Sequence, residues 1–210
     1  KGLLIQTHGG ATLPGFLMEE KKYERKKEEH TEIKRKIAKN IFQKIQSNMT
    51  IILDATQIEH KIRRIAYQIY EANIHQDRFI LAGIAENGYI LAEKLYEQLQ
   101  QFCPIPITLC KVFVKKTDPL APVTTSLPEE AYRGESVVLV DDVLSSGATL
   151  IYGVRHFLSV PLKQLKTAVL VNRNHKKYPI KADFKGISLS TSLQEHIEVS
   201  FEGDPVAFLQ

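Results

Sequence analysis

The chain has 210 residues, 43% hydrophobic and 25% charged, the balance of a soluble globular protein with one α/β domain and an appendage, or two small domains. No stretch approaches ~20 apolar residues, which excludes a membrane-spanning helix. Two cysteines, Cys103 and Cys110, exclude a disulfide framework, and no Cys/His cluster has zinc-like spacing. The start, Lys1 to Gly10, lacks the long apolar core of a secretory signal, so the expected compartment is the reducing cytoplasm. The net charge of +4 is uneven: residues 1–48 hold 11 Lys/Arg against 6 Asp/Glu, and residues 49–210 hold 17 against 18. The basic character therefore belongs to the N-terminal extension and makes no case for nucleic-acid binding by the main domain.

Residues 1–18 are Gly-rich and nonperiodic. From Glu19 the chain is dense in Glu and Lys, with Ile33, Ile37, Ile41 and Ile45 four apart, which predicts a solvated helix over 19–47 with one narrow apolar stripe. Organised patterning begins at Met49, so the chain divides into an extension, 1–48, and a domain, 49–210. Asp54 is placed to cap a helix carrying Ile58, Ile62, Ile65, Ala66 and Ile69. Phe79 to Ile84 reads as a buried strand, Ala85 to Gly88 as a loop, and Ile90, Leu91, Leu95 and Leu99 as a helix face. Ile105 to Val114 is strand-like. Lys115 to Ser136 is polar, proline-containing and without periodicity, a length that marks a functional or mobile loop. Val137 to Val140 is a central strand, Leu150 to Leu158 a helix, Leu165 to Val171 another strand, and the rest is irregular with short β runs. Alternating βα units predict a parallel sheet with the site at the carboxyl ends of its strands.

The string Val-Val-Leu-Val-Asp-Asp-Val-Leu-Ser-Ser-Gly-Ala-Thr, residues 137–149, carries most of the functional information. A β-branched run ends in two carboxylates, Asp141 and Asp142, and a turn of small and hydroxyl-bearing residues leads into a helix. Free N–H groups at that helix N-terminus suit a phosphate; Ser145, Ser146 and Thr149 add hydroxyls, and Gly147 admits close backbone approach. The two acids would repel a phosphate, so their partners are vicinal sugar hydroxyls with a divalent cation nearby. Together these parts describe a sugar phosphate.

This string resembles the 5-phosphoribosyl-1-diphosphate (PRPP) signature of the type I phosphoribosyltransferases. Thr50 to Asn73, Gly83 to Ala92, Val169 to His175, Pro179 to Phe184 and Thr191-Ser192 are similar, in order, to the pyrimidine operon regulator branch, whose members are also uracil phosphoribosyltransferases. The resemblance implies an α/β, parallel-sheet type I phosphoribosyltransferase fold with a flexible flap at Lys115 to Ser136, here carrying a helical N-terminal extension. It implies PRPP binding by Asp141, Asp142, Leu144, Ser145, Ser146, Gly147, Ala148 and Thr149, with Asp141 and Asp142 as the catalytic acids. Ala85, Glu86, Asn87 and Gly88 would form the diphosphate loop, and Asn172 and Arg173 a wall against the base. Mg²⁺ would be held indirectly through PRPP. The implied reaction displaces diphosphate at the anomeric carbon, uracil giving UMP, in a homodimer or homotetramer. A second implied reading is a catalytically weak, nucleotide-sensing regulator that binds RNA through Arg173, His175, Lys176, Lys177 and Lys181, with Lys185 in the same basic cluster.

Three departures from the branch stand out. The diphosphate loop has Ala85, Glu86 and Asn87 where the branch carries basic residues. Lys111 to Val114 replace an Arg followed by acids, and Leu193 replaces a basic residue. Ser145 occupies the position of an aspartate that serves 6-oxopurine phosphoribosyltransferases as a proton acceptor. Serine cannot do that at neutral pH, which points to a pyrimidine.

Overall fold

The computed structural model describes residues 50–115, 118, 121–174, 176–190 and 195–209. The helix expected over 19–47 and the division at residue 49 thus concern residues outside this set. Asp54 starts the first helix as its chemistry predicts. Its carboxylate accepts the Gln57 N–H at 2.8 Å while Gln57 Oε1 accepts the Asp54 N–H at 3.0 Å, a reciprocal capping box. The chain then runs β1 (Thr50–Leu53), α1 (Ala55–Asn73), β2 (Phe79–Ile84), α2 (Asn87–Leu99), β3 (Ile107–Phe113), β4 (Thr124–Thr125) and α3 (Glu129–Tyr132). It continues with β5 (Ser136–Leu144), α4 (Ala148–Phe157), β6 (Gln164–Arg173), β7 (Phe184–Leu189), β8 (Ile197–Ser200) and β9 (Val206–Leu209).

Six strands form one sheet in the order β4-β3-β2-β5-β6-β7. All neighbours are parallel except β4, which runs antiparallel to β3 at the edge. The near-continuous apolar strands follow from burial on both faces. Phe79, Leu81, Val138, Val140, Ala168 and Leu170 join a core with the stripes of α1 and α2. Ile80, Ala82, Val137, Leu139 and Val169 join a second core with Leu150 and Phe157 of α4. A separate antiparallel sheet, β1-β9-β8, delivers Leu53, Val199 and Ala207 to the first core. Among the described residues no helix is long and apolar enough to cross a membrane.

Several boundaries differ from the sequence reading, each for a physical reason. Strand β5 does not stop at Val140 but runs to Leu144, because Asp141, Val143 and Leu144 keep pairing with Val169, Val171 and Asn172 of β6. Asn87 and Gly88 belong to the first turn of α2, and Ala148 and Thr149 to that of α4. Asn172 and Arg173 continue β6 rather than opening an irregular tail. The segment 115–136 is not featureless. Thr125 pairs with Val112, and Tyr132, 1% exposed, is driven into the second core against Phe157, so the return limb of the flap is anchored.

Candidate active site

The carboxyl end of β5 builds the centre of the site. Asp141 is 5% exposed, and its Oδ1 accepts the Asp142 N–H at 3.1 Å. Asp142, half-buried, accepts a hydrogen bond on Oδ2 from Asn87 Nδ2 at 3.2 Å. The chain then turns through Ser145 and Ser146 to Gly147, whose φ of +84° is open to glycine and costly for other residues. A Cβ there would also stand 2.7 Å from Ile180 Cγ2. The Ser146 hydroxyl oxygen accepts the Ala148 N–H at 3.2 Å and retains its own O–H for a ligand. Helix α4 closes its first turn with the Ile151 N–H on the Gly147 carbonyl. Ser145 and Thr149 have no side-chain hydrogen-bond partner among the described residues. The result is a glycine-pivoted turn with donors at a helix N-terminus, immediately beyond two acids, where an anion and a polyol can be bound side by side. Leu144, counted with the cradle in the sequence reading, has its side chain 1% exposed in the second core, so only its backbone borders the turn.

The neighbouring loop after β2 carries Ala85 and Glu86, joined by a cis peptide, before α2 begins. Glu86 occupies the N-cap position without a side-chain capping bond. Gly88 brings α2 onto β5: a Cβ at this position would lie 2.9 Å from both the Asp141 Cα and the Val140 carbonyl oxygen. The Ala85 N–H donates to the Val112 carbonyl at 2.8 Å, fastening the loop to β3. From β3, Lys111 places its ammonium 5.1 Å from the centre of the Tyr89 ring and 5.7 Å from that of Phe113.

The basic segment after β6 lies against the cradle, which its sequence position did not reveal. The N–H groups of Lys177 and Tyr178 both donate to the Ser146 carbonyl, at 2.9 and 3.2 Å. The Tyr178 ring meets Tyr152 of α4 edge-on with centroids 6.2 Å apart. Lys176, Lys177, Lys181 and Asn174 line an open cavity of about 780 Å³. The Lys176 ammonium is pushed below the ordinary lysine range, first by burial and then by Lys185 and Lys181. Arg173 does not belong to that exposed set. It is a β6 residue, 6% exposed and engaged within the fold, and is therefore poorly placed to meet an RNA backbone. Asn172, 5% exposed, donates from Nδ2 to Ser188 Oγ at 3.0 Å, tying the expected base wall to β7. His175 and residues 191–194 lie outside the described residues.

Among the described residues no group of three or more His, Cys, Asp or Glu could hold a metal by itself. Two adjacent carboxylates do suit Mg²⁺, which is commonly bound by one or two acids together with ligand oxygens. Asp141 and Asp142 are the residues that would hold it, indirectly, through the oxygens of a bound polyol phosphate.

Parallel strands, a glycine-pivoted turn at a helix N-terminus and paired acids at the strand end define a site of the phosphorylated-sugar-binding class within the α/β proteins. The family model described as phosphoribosyl transferase domain matches residues 48–203, and the chain belongs to that family. Among its relatives, a Bifunctional protein PyrR from Streptococcus thermophilus is 35% identical over 151 residues, covering 70% of this chain and 87% of the relative. A Bifunctional protein PyrR from Geobacter sp. is 36% identical over 168 residues, covering 74% and 92%. Among solved structures, the hypoxanthine phosphoribosyltransferase of Trypanosoma cruzi superposes with a TM-score of 0.61 at 18% identity, covering 75% of this chain and 95% of that one. At that identity the likeness is one of fold.

Proposed function

We propose that the protein is a PRPP-dependent phosphoribosyltransferase acting on a pyrimidine base, converting uracil to UMP with release of diphosphate. The observation that carries the reading is the continuity of β5 into Asp141-Asp142 and the Gly147-pivoted turn, which sets hydroxyl-binding acids beside phosphate-binding donors. Asp141 and Asp142 hold the ribose hydroxyls, and the turn from Leu144 to Thr149 holds the 5-phosphate. Bond breaking at the anomeric carbon develops positive charge on the sugar, which the two carboxylates are placed to stabilise. Mg²⁺, when bound, neutralises charge on the leaving diphosphate. The remaining contribution of the chain is to orient both substrates and to exclude water, not to supply a strong base.

The kinship with PyrR proteins and the Ser145 hydroxyl support a pyrimidine as acceptor, since serine offers a purine ring no proton acceptor at neutral pH. The test is diphosphate release from PRPP and Mg²⁺ with a panel of nucleobases. Uracil as the preferred acceptor is the expected result; preference for hypoxanthine or guanine overturns the pyrimidine reading, and no release with any base overturns turnover.

A specific observation favours a second reading, a nucleotide-sensing regulator that binds RNA. Lys176, Lys177 and Lys181 line one open cavity, and burial, followed by the charges of Lys185 and Lys181, pushes the Lys176 ammonium down, a positive field suited to phosphates. On this reading leader RNA binds with an affinity that falls steeply with salt. Binding that is absent or insensitive to salt removes it.

A further inference from the structure

Asn87 occupies an unusual position among the site residues. Its amide nitrogen carries two hydrogens, and both are used inside the protein: one meets Asp142 Oδ2 at 3.2 Å, the other the Val199 carbonyl at 2.9 Å. The three residues come from α2, β5 and β8, so one side chain joins the first turn of a helix, the acid-bearing strand of the large sheet and the small antiparallel sheet. Next to it Gly88 seats α2 on Asp141 with no room for a Cβ, so the helix end, and with it Asn87, is held at a fixed distance from β5.

A carboxylate needs such a restraint. Rotation about its terminal torsion is broad and nearly two-fold, so packing alone orients it weakly. One N–H on Oδ2 fixes the plane of the group and leaves Oδ1 to a ligand.

We propose that Asn87 is a positioning residue: it holds the Asp142 carboxylate in its ribose-binding orientation and transmits to it the position of β8. With both amide hydrogens committed, Asn87 acts through Asp142 and does not donate to the diphosphate. The inference rests on the PRPP-binding reading of Asp142 given above.

The test is calorimetric titration of the full chain with PRPP and Mg²⁺, together with steady-state kinetics and thermal denaturation. Asn87→Ala is expected to weaken PRPP binding about tenfold, the effect of losing one hydrogen bond to a charged group. Asn87→Asp keeps the shape, loses both donors and adds a like charge beside Asp142, so it is expected to weaken binding more than Ala does. A residue that only filled space would show the opposite order, and that result overturns the proposal. In an Asp142→Ala background, where no side-chain acceptor is left to orient, the further change Asn87→Ala is expected to cost less than about twofold. Equal fold-changes in both backgrounds show independent action and likewise overturn it. The KM for PRPP is expected to rise while the KM for the base stays near the wild-type value, and a cooperative thermal transition shows that the variants remain folded. Failure of the wild-type protein to bind PRPP overturns the reading of the site and this inference together. Binding lost in Asp142→Asn but unchanged in both Asn87 variants overturns the inference alone.

Discussion

The two ends of the large sheet treat polar groups in opposite ways. At the amino end, Asn73, Ser136 and Gln164 form a closed network. Asn73 Oδ1 accepts the Ser136 hydroxyl at 2.6 Å and Gln164 Nε2 at 3.0 Å, while Asn73 Nδ2 donates to the Ile69 carbonyl at 2.8 Å. Gln164 Nε2 also lies 2.9 Å from Ser136 Oγ, and both Asn73 and Ser136 are fully buried. At the carboxyl end of the same β5 strand, Asp142, Ser145, Ser146 and Thr149 are only half-buried, and the hydroxyls of Ser145 and Thr149 have no partner among the described residues. A saturated network fixes the fold; groups left with hydrogen-bonding capacity on a rigid strand end serve a ligand. The difference teaches that polarity marks a site only where the protein has not already used it.

The strongest test of that contrast is Asp142→Asn. The acceptor for Asn87 remains, so the fold is expected to hold its thermal midpoint, while PRPP-dependent turnover falls at least about 100-fold. Uracil-to-UMP conversion at the wild-type rate would falsify the assignment of Asp142. Next in size is Gly88→Ala, which drives a methyl group to 2.9 Å from two backbone atoms of β5. It is expected to cost about 1–3 kcal/mol in denaturant unfolding and to weaken PRPP binding as well, since α2 must move off Asp141. A variant that keeps both wild-type stability and affinity shows that the helix end is not fixed.

Asn73→Ala should separate the two ends. It leaves the Ser136 hydroxyl short of its acceptor and the Ile69 carbonyl short of a side-chain donor, while Gln164 Nε2 keeps the Ala72 carbonyl and Ser136 Oγ, at an expected cost of about 1–3 kcal/mol in stability, with PRPP affinity unchanged. Loss of affinity without loss of stability would erase the division. The smallest expected effect is a pH dependence at the flap's root. Tyr132 Oη lies 3.2 Å from His156 Nε2, and burial holds the His156 pKa below its ordinary 6.5, with Glu129 partly opposing. Its folded-state pKa is thus the lower one, and between the two values the unfolded chain binds more protons. The contribution is fully present above about 6.5 and is lost as pH falls toward the folded value. Urea midpoints measured across that window should decline, and His156→Gln should flatten the decline; an unaltered slope assigns it to other groups.

Much of the architecture is legible in the chain itself. The Ile58-Ile62-Ile65-Ile69 stripe, the Asp54 cap and the two-faced apolar runs of β2, β5 and β6 are local patterns with local causes, and each forms where it is expected. The boundaries of β5 and β6 were not legible, because the extra residues are held by their partner strand and not by their own apolar character. Nor were the long-range ties. Asn87 lies 112 residues from Val199, and Lys177 reaches Ser146 only because the chain after β6 returns over the cradle.

What the sequence supplied by itself was the chemistry proposed for the cradle: two acids followed by a small, hydroxyl-rich, glycine-pivoted turn suit a phosphorylated sugar. Residue types at adjacent positions carry that proposal, since the groups are covalently kept within reach of one another. Only the tertiary structure decided which polar groups remain to bind anything. It assigned Asn87 to Asp142 and β8, removed Arg173 from the exposed basic set, turned Leu144 into the core and laid the lysine-bearing loop against Ser146. Hydrogen-bond capacity is consumed by neighbours in space, and spacing along the chain does not encode who those neighbours are.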